Sequence, residues 1–92
     1  MAPTTSVPAL DVLTIGRCGI DMYPLQTGVG LEAVETFGKF LGGSPTNVAV
    51  AAAHYRHRSA VITGVGNDPF ARFVCTEMRR LGVYDNYVVT KS

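Results

Sequence analysis

The stretch that most constrains this 92-residue chain is a glycine pair followed by a proline and a run of small apolar residues, at residues 42–53. Ser44 is predicted to cap a helix that begins at Pro45, because serine accepts from a free backbone N–H group and proline fits the first helical position. Gly42 and Gly43 lack a Cβ, so a ligand can approach their N–H groups beside the positive end of the helix dipole. Asn47 adds two donors and an acceptor. The stretch predicts either a ligand-binding turn or a plain glycine-rich connection between a strand and a helix.

Two apolar runs on either side of this helix predict a parallel α/β unit. Residues 11–15 and 60–65 are rich in Val, Ile, Leu and Thr, which is typical of strands buried on both faces of a parallel sheet. The helix between them is expected to run from Pro45 to about His57. Strand, helix and strand then form a right-handed βαβ crossover.

Helix punctuation recurs further along the chain. Asp68 is predicted to be the N-cap of a second helix, with Pro69 at its first position and Gly82 at its end. Residues 84–86 are predicted to form a polar turn, and residues 87–90 to begin a further strand.

A glycine-punctuated region separates the first strand from the first helix. Residues 20–25 and 36–41 have the composition of short strands, and residues 26–30 resemble a turn or loop. These two strands are expected to form a flap outside the main sheet.

Composition excludes several classes of partner. The chain is 47% hydrophobic and 16% charged with a net charge of +1, as in a globular domain, and it has no basic patch that would favour nucleic acid. No apolar run reaches the length needed to cross a membrane. Residues 1–8 lack the charged start and apolar core of a signal peptide, so we expect a cytoplasmic protein with a flexible tail at residues 1–10.

Cysteine and histidine positions do not predict a metal site. Cys18 and Cys75 have no zinc-ligand spacing and are expected to be reduced, buried thiols. His54 and His57 lie in a cationic segment that is typical of a solvated helix end, where positive charge suits the helix dipole.

The residues around the glycine pair resemble a known family. Gly-Gly-Ser-Pro-Thr-Asn-Val-Ala at residues 42–49, followed by Gly-Asn-Asp at residues 66–68, resembles the N-terminal signature of the PfkB, or ribokinase-like, carbohydrate kinases. Residues 11–21 and 35–40 are most similar to the 5-dehydro-2-deoxygluconokinases of inositol breakdown. The resemblance covers about residues 11–83. It departs from the family at Arg56, where Gly or Ser is usual, and at Ala71, where Gly is usual.

The resemblance implies an architecture. Residues 11–92 would be the N-terminal portion of a ribokinase-like three-layer α/β/α fold, and the flap would be its small β-strand lid, within about residues 18–41. The family's catalytic base and its ATP and Mg²⁺ sites belong to a C-terminal half marked by a Gly-Ala-Gly-Asp motif, which this sequence does not contain. We therefore expect a fragment without catalytic residues, inactive alone, whose full-length form dimerises through the lid.

The resemblance also implies a substrate site. It assigns Asp21, Gly42, Gly43 and Asn47 to the sugar, and Asp21 lies just past the C-terminal end of the first strand, where ligands bind in open α/β sheets. Such groups suit a polyhydroxylated ligand, because hydroxyls donate and accept hydrogen bonds in pairs. Asp21 could instead be an exposed carboxylate at the lid hinge. Arg17 is expected either to face a keto or carboxylate group of the substrate or to be an ordinary surface guanidinium.

Several functions remain open at this point. The favoured reaction is ATP-dependent phosphorylation of a keto-sugar acid, 5-dehydro-2-deoxygluconate, with 2-keto-3-deoxygluconate, fructose and ribose as alternative acceptors. A dinucleotide site is disfavoured because no GxGxxG pattern follows the first strand. A non-catalytic module that binds a small polyol or mediates dimerisation is the alternative of another class.

Overall fold

The structure is a computed structural model that describes residues 9–91. The tail predicted at residues 1–10 falls on residues 1–8, outside the described residues, and on residues 9 and 10, which belong to no helix or strand. In chain order the elements are β1 (Val12–Ile15), β2 (Gly19–Pro24), a 3₁₀ helix (Leu31–Ala33), β3 (Phe37–Gly42), α1 (Ser44–His54), β4 (Ser59–Val65), α2 (Pro69–Arg80), β5 (Val83–Tyr84) and β6 (Val88–Thr90).

Strand β4 is the centre of the main sheet. It pairs in parallel with β1, from Val12 opposite Ser59 to Ile15 opposite Ile62. Strands β5 and β6 also pair with it in parallel, β5 near its start and β6 near its end. The predicted parallel α/β unit is confirmed. The short strand β5 was not predicted, because Tyr84 was assigned to a polar turn and instead pairs with Ala60.

Both helices pack on one face of this sheet. Thr14 Oγ1 donates to the carbonyl of Pro45 (2.9 Å) and Ser59 Oγ donates to the carbonyl of Ala49 (2.7 Å), so alternate residues of β1 and β4 face α1. On that same face, both helices, β4 and β5 contribute to one buried apolar cluster, formed by Ala49, Val61, Val74, Met78 and Val83. The core therefore lies between the sheet and the two helices.

The opposite face of the sheet is open among residues 9–91. Leu13, Ile15 and Val89 project there and are 50%, 72% and 55% exposed. The expectation that the first strand is buried on both faces is therefore wrong for this chain, because helices cover one face only.

Helix α1 begins differently from the prediction. Gly43, not Ser44, is the N-cap: its carbonyl accepts the first helical hydrogen bond from the N–H of Asn47 (2.8 Å), and Ser44 is already helical. Gly43 has φ 98°, and a Cβ on it would lie 2.6 Å from the carbonyl oxygen of Arg17. Only glycine fits this close approach, which shifts the helix start by one residue.

Helix α1 also ends three residues earlier than predicted, at His54. The N–H of Arg56 donates to the carbonyl of Ala53 (2.9 Å), and that of His57 to the carbonyl of Ala52 (3.0 Å). These two bonds form a Schellman motif, which requires a left-handed residue just beyond the helix. Arg56 occupies that position with φ 68°.

Helix α2 confirms its predicted start. Asp68 is the N-cap and its Oδ1 accepts from the N–H of Ala71 at 2.8 Å, with Pro69 as the first helical residue. The helix ends at Arg80, two residues before Gly82, which has φ 88°.

The two predicted flap strands, β2 and β3, form an antiparallel pair, from Gly19 opposite Gly42 to Pro24 opposite Phe37. We call residues 19–42 the lid. Its connecting segment contains the 3₁₀ helix and is closed by Gln26, whose Oε1 accepts from the N–H of Glu35 at 2.5 Å. The lid pairs with no strand of the main sheet among the described residues and contacts α2 instead.

Candidate functional site

A cavity of about 500 Å³ lies where the chain leaves β1 and where it enters α1. Three of the five predicted binding residues, Arg17, Asp21 and Gly43, contribute to its wall, which is completed by Cys18, Gly19, Ile20, Ser44 and Pro45. The βαβ topology explains this convergence, because the carboxyl end of a strand and the amino end of the next helix meet at the same edge of the sheet.

Asp21 lies directly over Gly42. Any Cβ at Gly42 would come within 2.5 Å of the Asp21 Cγ atom, so the absence of a side chain there lets the carboxylate occupy this position. Gly42 itself is buried in β3 and contacts Asp21. Tyr23 Oη lies 3.5 Å from Asp21 Oδ2, on the same face of β2.

The start of α1 leaves hydrogen-bond donors unused. Among the described residues no side chain caps the helix, and Pro45 has no N–H group. The N–H groups of Ser44 and Thr46 therefore have no partner within the helix. Ser44 is part of the cavity wall, so these donors and the positive end of the dipole lie beside the cavity.

Arg17 supplies the positive charge of this site. Its side chain is exposed, and within residues 9–91 it forms no hydrogen bond or ion pair with another side chain. The cavity thus combines one unpaired cation, one carboxylate and backbone donors, a set that can bind hydroxyls together with an anionic group.

Asn47 lies outside the cavity wall. It is exposed in the first turn of α1, and its backbone N–H is used by Gly43. Its sugar-binding role stays a prediction, as do the roles of the other four residues.

Cys18 is a wall residue that the residue pattern did not predict. Its thiol is half-buried, and Sγ lies 4.0 Å from the carbonyl oxygen of Gly64. The available signal was its position between β1 and Asp21, directly beside Arg17.

His57, just beyond the other end of α1, belongs to a surface cluster. His57 Nδ1 lies 3.9 Å from Asp11 Oδ2, and the backbone N–H of Arg58 donates to the same oxygen at 2.8 Å. This backbone hydrogen bond, with the nearby positive charges, holds the pKa of Asp11 below its usual range. In the part of the chain that the structure describes, no group of three or more His, Cys, Asp or Glu residues is arranged to hold a metal ion.

No helix among residues 9–91 is both long enough and apolar enough to cross a membrane.

Together these features define a class: a parallel α/β unit with a β lid and a glycine turn that joins the lid to a helix over the end of the first strand. The chain belongs to the pfkB family of carbohydrate kinases, whose family model matches residues 9–92.

Relatives with known names give further detail. Over 74 residues the chain is 39% identical to the 5-dehydro-2-deoxygluconokinase of Clostridium tetani, covering 80% of this chain and 22% of that protein. Over 75 residues it is 35% identical to the 5-dehydro-2-deoxygluconokinase of Bacillus subtilis, covering 82% and 23%. Among solved structures, an uncharacterized sugar kinase from Pyrococcus horikoshii in complex with ATP matches 88% of this chain and 26% of its own, with 33% identity and a TM-score of 0.79. The chain thus spans about a quarter of the length of these relatives, and its fold is the N-terminal part of a ribokinase-like α/β fold.

Proposed function

We propose that this chain is the acceptor-binding part of an ATP-dependent kinase whose substrate is a keto-sugar acid, 5-dehydro-2-deoxygluconate. The observation that carries the proposal is the cavity in which Arg17, Asp21 and Gly43 converge. The names of the relatives from Clostridium tetani and Bacillus subtilis support the choice of acceptor.

Each group in the cavity has a chemical task in this proposal. The Asp21 carboxylate accepts hydrogen bonds from sugar hydroxyls, and the free N–H groups at the start of α1 donate to hydroxyl or carbonyl oxygens. Arg17 pairs with the carboxylate of the sugar acid, because a guanidinium matches a carboxylate through two parallel hydrogen bonds. Fructose and ribose lack that carboxylate, so Arg17 distinguishes acids from neutral sugars.

The phosphate donor in this proposal is ATP, with Mg²⁺. The described residues offer no cluster of acidic side chains for the metal, so we assign the metal, the phosphate-binding groups and the catalytic base to parts of the protein beyond this chain. The ATP complex of the Pyrococcus horikoshii sugar kinase supports ATP as the donor. What this chain contributes is position, since phosphoryl transfer depends mainly on holding the attacking hydroxyl in place. A cytoplasmic location follows from the use of ATP.

The lid is the proposed surface for a homodimer. Tyr23, Leu25 and Phe40 are apolar or aromatic lid residues, and each is between 47% and 60% exposed. A row of exposed large side chains on a two-stranded sheet is a surface that association would cover.

The proposal is tested on the longer protein that carries this chain. ATP consumption is measured with 5-dehydro-2-deoxygluconate, 2-keto-3-deoxygluconate, fructose and ribose. We expect the first acceptor to have the highest kcat/KM. Preference for a neutral sugar would contradict the assignment, and binding of a polyol without ATP turnover would indicate the non-catalytic module.

Variants then test the site. Asp21→Ala and Asn47→Ala are each expected to lower kcat/KM for the acceptor. The expected loss of transition-state stabilisation is about 2 kcal/mol or more, with little change in KM for ATP. Arg17→Met is expected to weaken binding of the sugar acid and to leave binding of fructose unchanged. Arg72→Met, which changes an exposed arginine of α2 outside the cavity, is the matched control. Equal losses toward the acceptor and ATP would indicate a folding defect and count against these roles.

A further inference from the structure

One side chain of the lid reaches across to helix α2. Lys39 Nζ lies 4.7 Å from the centroid of the Phe73 ring, within the range of a cation–π contact. Glu77 follows Phe73 by one helical turn, and its carboxylate is held by two hydrogen bonds from Arg80. Those hydrogen bonds are the main reason why the pKa of Glu77 is lowered, and the charge of Lys39 adds to the effect. The ammonium group therefore lies over the Phe73 ring, and its charge acts on the Glu77 carboxylate without forming an ion pair with it.

We propose that Lys39 is a positioning residue, whose contact with Phe73 holds the lid against α2 and thereby keeps Asp21 in place in the cavity wall with Arg17 and Gly43. The expected effect of Lys39 on substrate binding rests on the proposed function. The expected contact between the lid and α2 is independent of it.

Strand register relates the position of Lys39 to that of Asp21. Lys39 pairs with Met22 across the lid, and Asp21 is the next residue along β2. Successive side chains of a strand point to opposite faces, so Lys39 and Asp21 lie on opposite faces of the same two-stranded sheet. When the Lys39 face is docked on α2, the Asp21 face is turned toward the cavity. Any tilt of the lid moves the carboxylate relative to Arg17 and Gly43.

Apolar packing does not close the lid onto α2 by itself. Ile20 and Leu41, at the base of the lid, pack against the core. Further out, a cleft of about 380 Å³ separates Met22 from Phe70, and both side chains are 61% exposed. The Lys39 side chain reaches α2 at the level of Met22, where this cleft is open. Its contact with Phe73 is thus placed to control the angle of the outer lid.

The first test measures the lid in the 92-residue chain by amide hydrogen exchange. Lys39→Met keeps an apolar stem of similar length and removes the charge. We expect lid amides in β2 and β3 to exchange about three-fold faster, as for loss of one exposed cation–π contact, with β4 unchanged. Lys39→Arg should behave like the original chain, because a guanidinium also stacks on aromatic rings. Unchanged lid exchange, or equal acceleration in β4, would overturn the inference.

The second test is a double-mutant cycle in the longer protein. Lys39→Met and Phe73→Leu are each expected to raise KM for the acceptor about three-fold, with kcat and KM for ATP unchanged. The double variant should raise KM for the acceptor no more than either single variant, because both substitutions remove the same contact. Arg72→Met is again the control.

The outcomes separate the two proposals. The positioning role would be overturned if the two substitutions had additive effects on KM for the acceptor. It would also be overturned if Lys39→Met left that KM unchanged in an active kinase. A lid that responds to Lys39→Met in a protein without sugar-acid kinase activity would refute the proposed function and support the contact.

Discussion

Arg56→Gly is predicted to stabilise the chain, because Arg56 carries a backbone conformation that suits glycine. It completes the Schellman motif at the end of α1 with φ 68°. A left-handed conformation costs an L-residue roughly 1–2 kcal/mol. The greater freedom of glycine in the unfolded chain offsets about 0.5–1 kcal/mol of the stability gained by the substitution. The free energy of unfolding should therefore rise by about 1 kcal/mol.

Arg56→Ala is the matched control for this prediction. Alanine also removes the guanidinium but keeps the Cβ, so its unfolding free energy should stay within about 0.5 kcal/mol of the original, as for an ordinary surface substitution. Urea denaturation of dilute protein, followed by circular dichroism, measures all three variants. If the glycine variant were no more stable than the alanine variant, the backbone argument would be refuted.

Three further predictions concern acid stability, thiol reactivity and association. The contact between Asp11 and the Arg58 N–H lowers the folded pKa of Asp11, so its stabilisation is present above the unfolded pKa of about 3.9 and is lost as the pH falls through the folded value; urea midpoints at pH 6 and pH 3 should differ less in Asp11→Asn than in the original chain. Partial burial, followed by the charge of Asp85, raises the pKa of Cys75, so iodoacetamide at pH 8 should label it more slowly than an unstructured cysteine peptide. The open sheet face should make the 92-residue chain associate, and Ile15→Lys should reduce its sedimentation coefficient; a chain that is monomeric without the substitution would contradict this.

Local signals made helix α2 predictable. Asp68, Pro69 and Gly82 act within one or two turns of where they stand in the chain, so their effect can be judged from neighbouring residues alone. The two strands of the lid were predictable for the same reason, since glycines separate them from the rest.

Both ends of α1 depend on information that a residue pattern does not contain. Serine outranks glycine as an N-cap by propensity, yet the close approach of the Arg17 carbonyl admits only Gly43 at that turn. At the other end, the left-handed residue is Arg56, which propensity alone does not predict. The openness of one face of β1 also depends on which helices are present to cover it.

The candidate site shows the same division. The family resemblance grouped Asp21 with Gly43, and the βαβ unit explains why they meet, because the strand end and the helix start lie at the same edge of the sheet. The position of Asn47 outside the cavity wall, and of Cys18 within it, depends on how the lid and helix pack. That packing involves residues far apart in the chain.

The insertion of the lid between β1 and α1 has a consequence for how such chains can change. The contact of Asp11 with Arg58, which joins the start of β1 to the start of β4, bridges a separation of 47 residues. The entropy cost of closing such a loop grows only with the logarithm of its length, by about 0.6 kcal/mol for each doubling. Lids of other lengths and sequences can therefore be inserted at the same point at small cost to the pairing of β1 with β4. The sequence of the lid can diverge while the part of the chain that forms the sheet stays the same.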